Sequence, residues 1–354
     1  AVGLNALDAN TTADNNTAVG NNALSAVTTS GNNTAVGWSA LTLNTGLNNT
    51  AVGAYALDTQ TAAAGNVAVG MAAGTAITTG AGNTCVGLYS LATITNATNN
   101  TAMGSYALYL ATGGSNTAVG WGALENTSTG TNCTAVGTAA ARTHTTGADN
   151  TAVGTNALNA CTDGSYHAIF GEGAGVAITT GNGNTCIGND AGAALTSGSN
   201  NIMVGKIAAT SGAGADHEIV IGAATTGKGT NTGFMDANDG GNYAGNNSAS
   251  WSTTSDRRIK KNIEDNNIGL DKLKQIQVRN FEYRLPEEVD AELPSHTAIN
   301  REGVQVGVIA QEIIEILPDV VKQESTGCYS VDPDNLTWYL VNAVKELSAK
   351  VEDL

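Results

Sequence analysis

A serine hydroxyl and a lysine amine stand five residues apart in the string S-D-R-R-I-K-K, at Ser255 and Lys260, among the cations Arg257, Arg258 and Lys261. The hydroxyl is a poor nucleophile until a nearby base removes its proton. Lysine can be that base only when its pKa falls toward neutrality, which burial and neighbouring positive charge promote. The same string is also an ordinary cap, with Ser-Asp ahead of a basic helix start, so by itself it does not decide between catalysis and capping. Ser250 and Ser252 lie close by, but neither has a lysine at that interval, and His296 sits in a polar loop with no evident role.

Elsewhere the chemistry-bearing residues are dispersed. Glycan cleavage uses two carboxylates a few ångströms apart, whereas Asp8, Asp14, Asp58, Glu125, Asp149, Asp163, Glu172 and Asp190 occur singly and read as solvated surface acids. His144, His167 and His217 have no partner at metal or triad spacing and read as structural. The five cysteines, Cys85, Cys133, Cys161, Cys186 and Cys328, form no C-x-x-C and have no histidine at zinc spacing. Cys85 and Cys186 stand where a repeated motif has alanine, the place of a buried thiol. Neither a metal nor a cofactor is expected.

The elements that must position these residues belong to two different kinds of chain. Aromatic residues make up 5% of the sequence and charged residues 13%, with Gly, Ala, Thr and Asn dominant, so a conventional core would be short of large side chains. The net charge of −16 disfavours nucleic acid and anionic membrane surfaces as partners. No signal-like segment and no membrane-spanning apolar run is visible. Up to Gly222 the strong cations are Arg142 and Lys206 alone; most of the rest follow Ser255.

From Ala1 to Gly222 the string N-T-A-V-G, two variable residues, then A-L returns about every 17 residues, with its glycine at positions such as Gly20, Gly37, Gly53 and Gly70. The pattern predicts a short β-prone segment before each glycine, another short segment after it, and a Thr/Gly/Asn-rich turn. A unit this short cannot close its own core, so rung must stack on rung as a solenoid, on the order of 65 Å long at about 4.8 Å per strand. Asn16, Asn33, Asn49, Asn83, Asn100, Asn116, Asn150 and Asn184, four residues before the glycine, are placed for side-chain ladders. Small interior residues supply little burial, which predicts that several chains, three by preference, share one core. The motif resembles the left-handed parallel β-roll heads of trimeric autotransporter adhesins, at a longer spacing. The chain opens inside a repeat, from which a longer N-terminal part is expected.

Residues 223–254 lose the period and read as a loop-rich adaptor. A sharper expectation is a small tip that exposes Phe234, Tyr243 and Trp251 to a host surface.

Residues 255–354 have the composition of a normal α/β domain. Leu270, Leu273 and Ile276 mark a short helix, Phe281 and Tyr283 alternate as in a strand, Val304, Val306 and Val308 alternate again, and AQEIIEIL stops at Pro318. Asp332 and Pro333 form a helix start. Leu340, Val344, Leu347, Val351 and Leu354 then recur at spacings of four and three, a coiled-coil seam.

The strings SDRRIKKNI, LDKLKQIQVRNFEYR, GVIAQEIIEILPDVV and YSVDPDNLTWYLVNAVKEL, in that order, resemble the intramolecular chaperone family, also called peptidase S74, which ends endosialidase tailspikes and various phage tail fibres and occurs in myelin regulatory factor. The resemblance implies a domain that trimerises, assists folding of the β-structured fibre ahead of it, and cuts itself off. It implies Thr254–Ser255 as the scissile bond, Ser255 as nucleophile and Lys260 as base.

The expected architecture is a mainly β N-terminal repeat solenoid, a trimeric parallel β-roll or β-helix, followed by a small α/β chaperone domain ending in a coiled-coil helix. The expected function is a structural and host-recognition tail fibre, made in the host cytoplasm and resident in the virion tail. Its expected partners are two further copies of itself, upstream fibre or baseplate proteins, and a bacterial surface receptor such as a glycan. A glycan-degrading tailspike and a bacterial trimeric adhesin are the alternatives.

Overall fold

The computed structural model describes residues 1–236, 242–244, 257–290, 293, 302–323 and 327–353, and the chain divides into two compact units, Ala1–Thr254 and Ser255–Leu354.

In the first unit each repeat contributes one strand of three residues, ending just before the motif glycine. Thirteen of these, from β1 (Thr17–Val19) to β13 (Ile219–Ile221), stack in chain order, each parallel to the next. Thr17 pairs with Thr34, Ala18 with Ala35 and Val19 with Val36, and this register persists. It survives two rungs of 16 residues, Thr34 to Thr50 and Thr101 to Thr117, because the shortening falls outside the strand. Strand alternation turns the middle side chain inward and its neighbours outward, so Ala18, Ala35, Cys85 and Val220 are buried while the flanking Thr and Val columns face out.

The glycine is required by its backbone. Gly53 has φ 140°, and a Cβ there would overlap the Gly70 carbonyl of the next rung. The segment that follows is a turn rather than an extended piece. Residues two and four places after the glycine are left-handed, as at Asn22 (φ 56°) and Leu24 (φ 51°), then Ser39 and Leu41, then Tyr55 and Leu57. A left-handed leucine costs about 1–2 kcal/mol. Leu24, Leu41 and Leu57 are completely buried, and burial of a leucine contributes about 1.5–3 kcal/mol, so the conformation is retained.

The asparagine column forms the expected ladder, in a side-chain-to-backbone form. Asn66 Oδ1 accepts from the Asn83 N–H at 2.8 Å, and Asn66 Nδ2 donates to the Gly80 carbonyl at 2.8 Å. Asn49 and Asn100 repeat both bonds with their own neighbours. Buried amides are tolerated because both ends are satisfied.

These columns, with Val27, Ile77, Ile94, Ile178 and Leu195, make one continuous core within a single chain. That corrects the expectation of a core shared between chains. The left-handed turn delivers a leucine per rung into the space that the small strand residues leave open, so one chain suffices to cover it.

The sheet also continues past the point where the period breaks. β14 (Gly233–Met235) pairs parallel with β13, placing Phe234 opposite Val220. Phe234 is buried, with the Lys228 ammonium 4.4 Å from its ring centroid. It therefore completes the interior of another rung and is not displayed at a tip. β15 (Asn242–Ala244), which contains Tyr243, pairs antiparallel with β14. Trp251 lies outside the described residues.

The second unit contains α1 (Leu270–Leu273), the antiparallel pair β16 (Arg279–Phe281) and β17 (Gln305–Gly307), α2 (Ala310–Ile314), the antiparallel pair β18 (Val321–Gln323) and β19 (Tyr329–Val331), and α3 (Pro333–Glu352). Its small core gathers Ile313, Leu317, Val320 and Tyr339, with Leu273, Ile276, Val308 and Leu336 packed against them. Arg279 clamps Glu312 through two nitrogens at 3.2 and 3.0 Å, tying β16 to α2.

Candidate functional site

Arg257–Ile259 form one 3-10 turn, closed by the Lys260 N–H donating to the Arg257 carbonyl at 3.3 Å. Thr254 and Ser255 lie outside the described residues, as do Ser250, Ser252 and His296, so the described side of the proposed pair is Lys260. Arg257, Arg258, Lys260 and Lys261 are all exposed. Arg257, Arg258 and Lys261 stand close to Lys260 in sequence.

The helix α3 is the longest element of this unit. The Asp332 side chain accepts from the backbone N–H groups of Asp334 (2.9 Å) and Asn335 (3.2 Å), and Pro333 occupies the first turn, where its missing N–H costs nothing. One face packs on its own unit through Leu336, Tyr339 and Ala343. On that side Glu346 Oε2 accepts from the Leu270 N–H at 3.2 Å, and Asn342 Nδ2 donates to the carbonyls of Asn266 (2.7 Å) and Ile268 (3.1 Å). Tyr339 donates its hydroxyl to Asp319, and this bond, with burial second, raises the Tyr339 pKa above its ordinary value. The heptad row uses a different face: Leu340, Val344, Leu347 and Val351 are each more than half exposed. The seam is thus left uncovered by its own domain. Leu354 lies outside the described residues.

Titratable groups inside the solenoid are positioned by the repeat. Cys133, His167 and Glu218 each occupy the ladder place held elsewhere by asparagine, four residues before the glycine. The His167 backbone N–H donates to Asn150 Oδ1 at 2.9 Å, and its Nδ1 accepts from the Asn184 N–H at 3.2 Å, so histidine reproduces the acceptor half of the amide's role, while its buried Nε2 makes no hydrogen bond. Glu218 closes the column by accepting from the N–H groups of Ser211 (2.7 Å) and Gly229 (2.6 Å). His144 Nε2 accepts from Asn150 Nδ2 at 3.0 Å, and its Nδ1 lies 3.5 Å from Thr127 Oγ1. Position in the repeat, rather than pairing distance in sequence, was the signal that identifies them.

Their environments oppose ionic chemistry. Burial pushes the thiols of Cys85, Cys161 and Cys186 up to about 12 and raises that of Cys133, so none is a ready nucleophile. Burial lowers His144 to about 4, and lowers His167. Among the described residues no group of three or more His, Cys, Asp or Glu could hold a metal ion, and no helix is long and apolar enough to cross a membrane. The surface acids have polar partners of their own: Glu125 pairs with Arg142 at 2.6 Å, Asp58 accepts from Thr75 at 2.6 Å, and Asp149 from Asn132 at 3.2 Å.

Residues 255–322 match the family model described as the chaperone of endosialidase, peptidase S74, beginning at Ser255 itself. No curated protein and no solved structure matches the chain. The chain therefore carries a chaperone-of-endosialidase domain behind a parallel β-solenoid, an arrangement that fits a tail fibre with a C-terminal chaperone. The match ends at Lys322, ahead of α3.

Proposed function

We propose that the chain is a phage tail fibre, or tailspike-like, protein whose C-terminal domain directs assembly of the solenoid as a homotrimer and then releases itself between Thr254 and Ser255. The observation that carries this reading is the family match, which starts at the serine expected to act and follows directly on the repeat-built unit.

In the release step a neutral Lys260 Nζ takes the Ser255 hydroxyl proton, and Oγ forms a bond to the Thr254 carbonyl carbon. The C–N bond to Ser255 breaks, its nitrogen receiving the proton, which leaves an ester. Water then hydrolyses the ester, freeing the Thr254 carboxylate and restoring the serine hydroxyl. The balance is the same whether the serine belongs to the same chain or a neighbour. Lys260 is exposed, and in this reading assembly is the step that would bury it and couple release to completed folding.

The exposed row Leu340, Val344, Leu347 and Val351 is the proposed joining surface. Holding three chains together raises their effective concentration for assembly of the folded solenoids. Removal of the domain then leaves a kinetically trapped fibre. In the virion tail that fibre would join upstream fibre or baseplate proteins and meet a bacterial surface receptor.

The test is production of residues 1–254 alone beside the full chain. The reading expects the full chain to yield soluble trimers and the truncated chain to aggregate or remain unassembled. Equal yields of the same trimer from both would remove the chaperone role.

A further inference from the structure

Six aromatic residues of the solenoid fall in the turns of five out of six consecutive rungs, while Tyr166 and Phe170 lie elsewhere in the repeat. Two of the four tryptophans and four of the nine tyrosines, Trp38, Tyr55, Tyr89, Tyr106, Tyr109 and Trp121, lie in the turn that follows the motif glycine, between the glycines Gly37 and Gly120 and just beyond. Trp38 meets Tyr55 edge to face at 4.3 Å, Tyr89 stacks on Tyr106 at 5.8 Å, and Tyr109 stands edge-on to both. Trp121 carries the Arg142 guanidinium over its ring at 4.9 Å. At about 4.8 Å per rung the column extends roughly 24 Å.

These rings are not core. Trp38 is 48% exposed, Trp121 46% and Tyr55 37%. Rungs outside this stretch have Asn21, Thr138, Thr155 and Asn189 in the same place as Trp38 and Trp121 and keep the same strand register, so the repeat has no structural need of aromatics there. An exposed apolar patch that the fold does not require marks a binding surface.

We infer that this column binds a glycan chain, the polysaccharide class of bacterial surface receptor. A sugar ring offers an apolar C–H face and a rim of hydroxyls. The column offers amphipathic Trp and Tyr faces, with Ser39 and Ser105 next to Trp38 and Tyr106 in sequence. Its charge is nearly cancelled, since Arg142 is paired with Glu125 at 2.6 Å, which disfavours a nucleic acid or a strongly charged peptide. A second copy of the chain would be expected instead on the outward Val, Met and Ile row of the sheet, Val19, Val36, Val52, Val69 and onward to Ile221, which runs the length of the stack. The aromatic column is local and so fits a local ligand.

The inference rests on the reading of the chain as a host-recognition fibre and locates the contact on the shaft. The test uses the full chain, fluorescently labelled, on a panel of bacteria treated with periodate, which oxidises sugar diols, or with proteinase. Wild-type protein is expected to label at least one strain, to lose labelling after periodate and to keep it after proteinase. Trp38→Ala with Tyr55→Ala, and separately Trp121→Ala, should weaken labelling at least tenfold with an unchanged circular dichroism spectrum and melting temperature. Variants that label as wild type would overturn the site, and proteinase-sensitive, periodate-resistant labelling would overturn the glycan. Failure to label any strain would instead sink the host-recognition reading, and the inference with it.

Discussion

The most demanding residues of this molecule are the ones whose chemistry the repeat suppresses. Asn66 occupies a dry position only because both ends of its amide are bonded, to Asn83 N–H and to the Gly80 carbonyl. Asn66→Ala leaves two buried backbone groups unpaired, at about 1–3 kcal/mol each, and should lower the denaturation midpoint clearly more than removal of the half-buried Asn22 side chain, which is bonded to Asn5. Gly53→Ala forces a Cβ against the Gly70 carbonyl at a φ of 140° and should cost at least about 2 kcal/mol, with loss of hydrogen-exchange protection centred on its own and adjacent rungs. Both variants can be compared by chemical denaturation of the folded shaft.

The two interior histidines give the shaft a predictable acid limit. His144 is held near 4 and His167 is also lowered, both by burial, while an unfolded histidine titrates near 6.5. Between those values the unfolded chain binds the protons that the folded chain refuses. The stability associated with the neutral rings is therefore complete above about pH 6.5 and declines as pH falls from there toward 4. Denaturation midpoints measured across that window should fall with acid, and His144→Gln should flatten the fall. A wild-type midpoint that stays level from pH 7 to 4.5 would contradict the buried, neutral assignment.

At the scale of elements, the strand before each glycine was legible in the sequence, because period 17 and the Ala between outward residues fix both its place and its inward side chain. The asparagine ladder was legible for the same reason. The turn after the glycine was not: leucine is a poor left-handed residue, and only the burial available in the stacked structure makes Leu24 or Leu41 adopt that conformation. That hidden turn is also why a shared multichain core was expected where one chain encloses its own. Phe234 was misplaced because β14 continues the sheet at a spacing of 14 residues, outside the period. In the terminal helix the a/d row was visible, whereas the separate packing face of Leu336, Tyr339 and Ala343 appeared only with the fold. Leu340→Lys with Leu347→Lys should abolish trimers in sedimentation while preserving helix α3 by circular dichroism, since both side chains point away from their own domain's core. Tyr339→Phe should do the reverse, leaving assembly intact and lowering domain stability by about 1 kcal/mol through loss of the bond to Asp319.

At the scale of the whole molecule, the two units divide labour between a shaft that gains stability rung by rung and a domain whose value lies in the folding period. The proposed pair, Ser255 and Lys260, stands at the start of the second unit, and it was suggested only by the resemblance carried by the four C-terminal strings; spacing alone left the two residues as a cap. The measurement that bears most directly on this account is the intact mass of the full chain after folding under native conditions. The account predicts two species from the wild type, one ending at Thr254 and one beginning at Ser255, and a single uncut chain from both Ser255→Ala and Lys260→Ala. An uncut wild type, a cut at another bond, or cleavage that persists in either variant would contradict it.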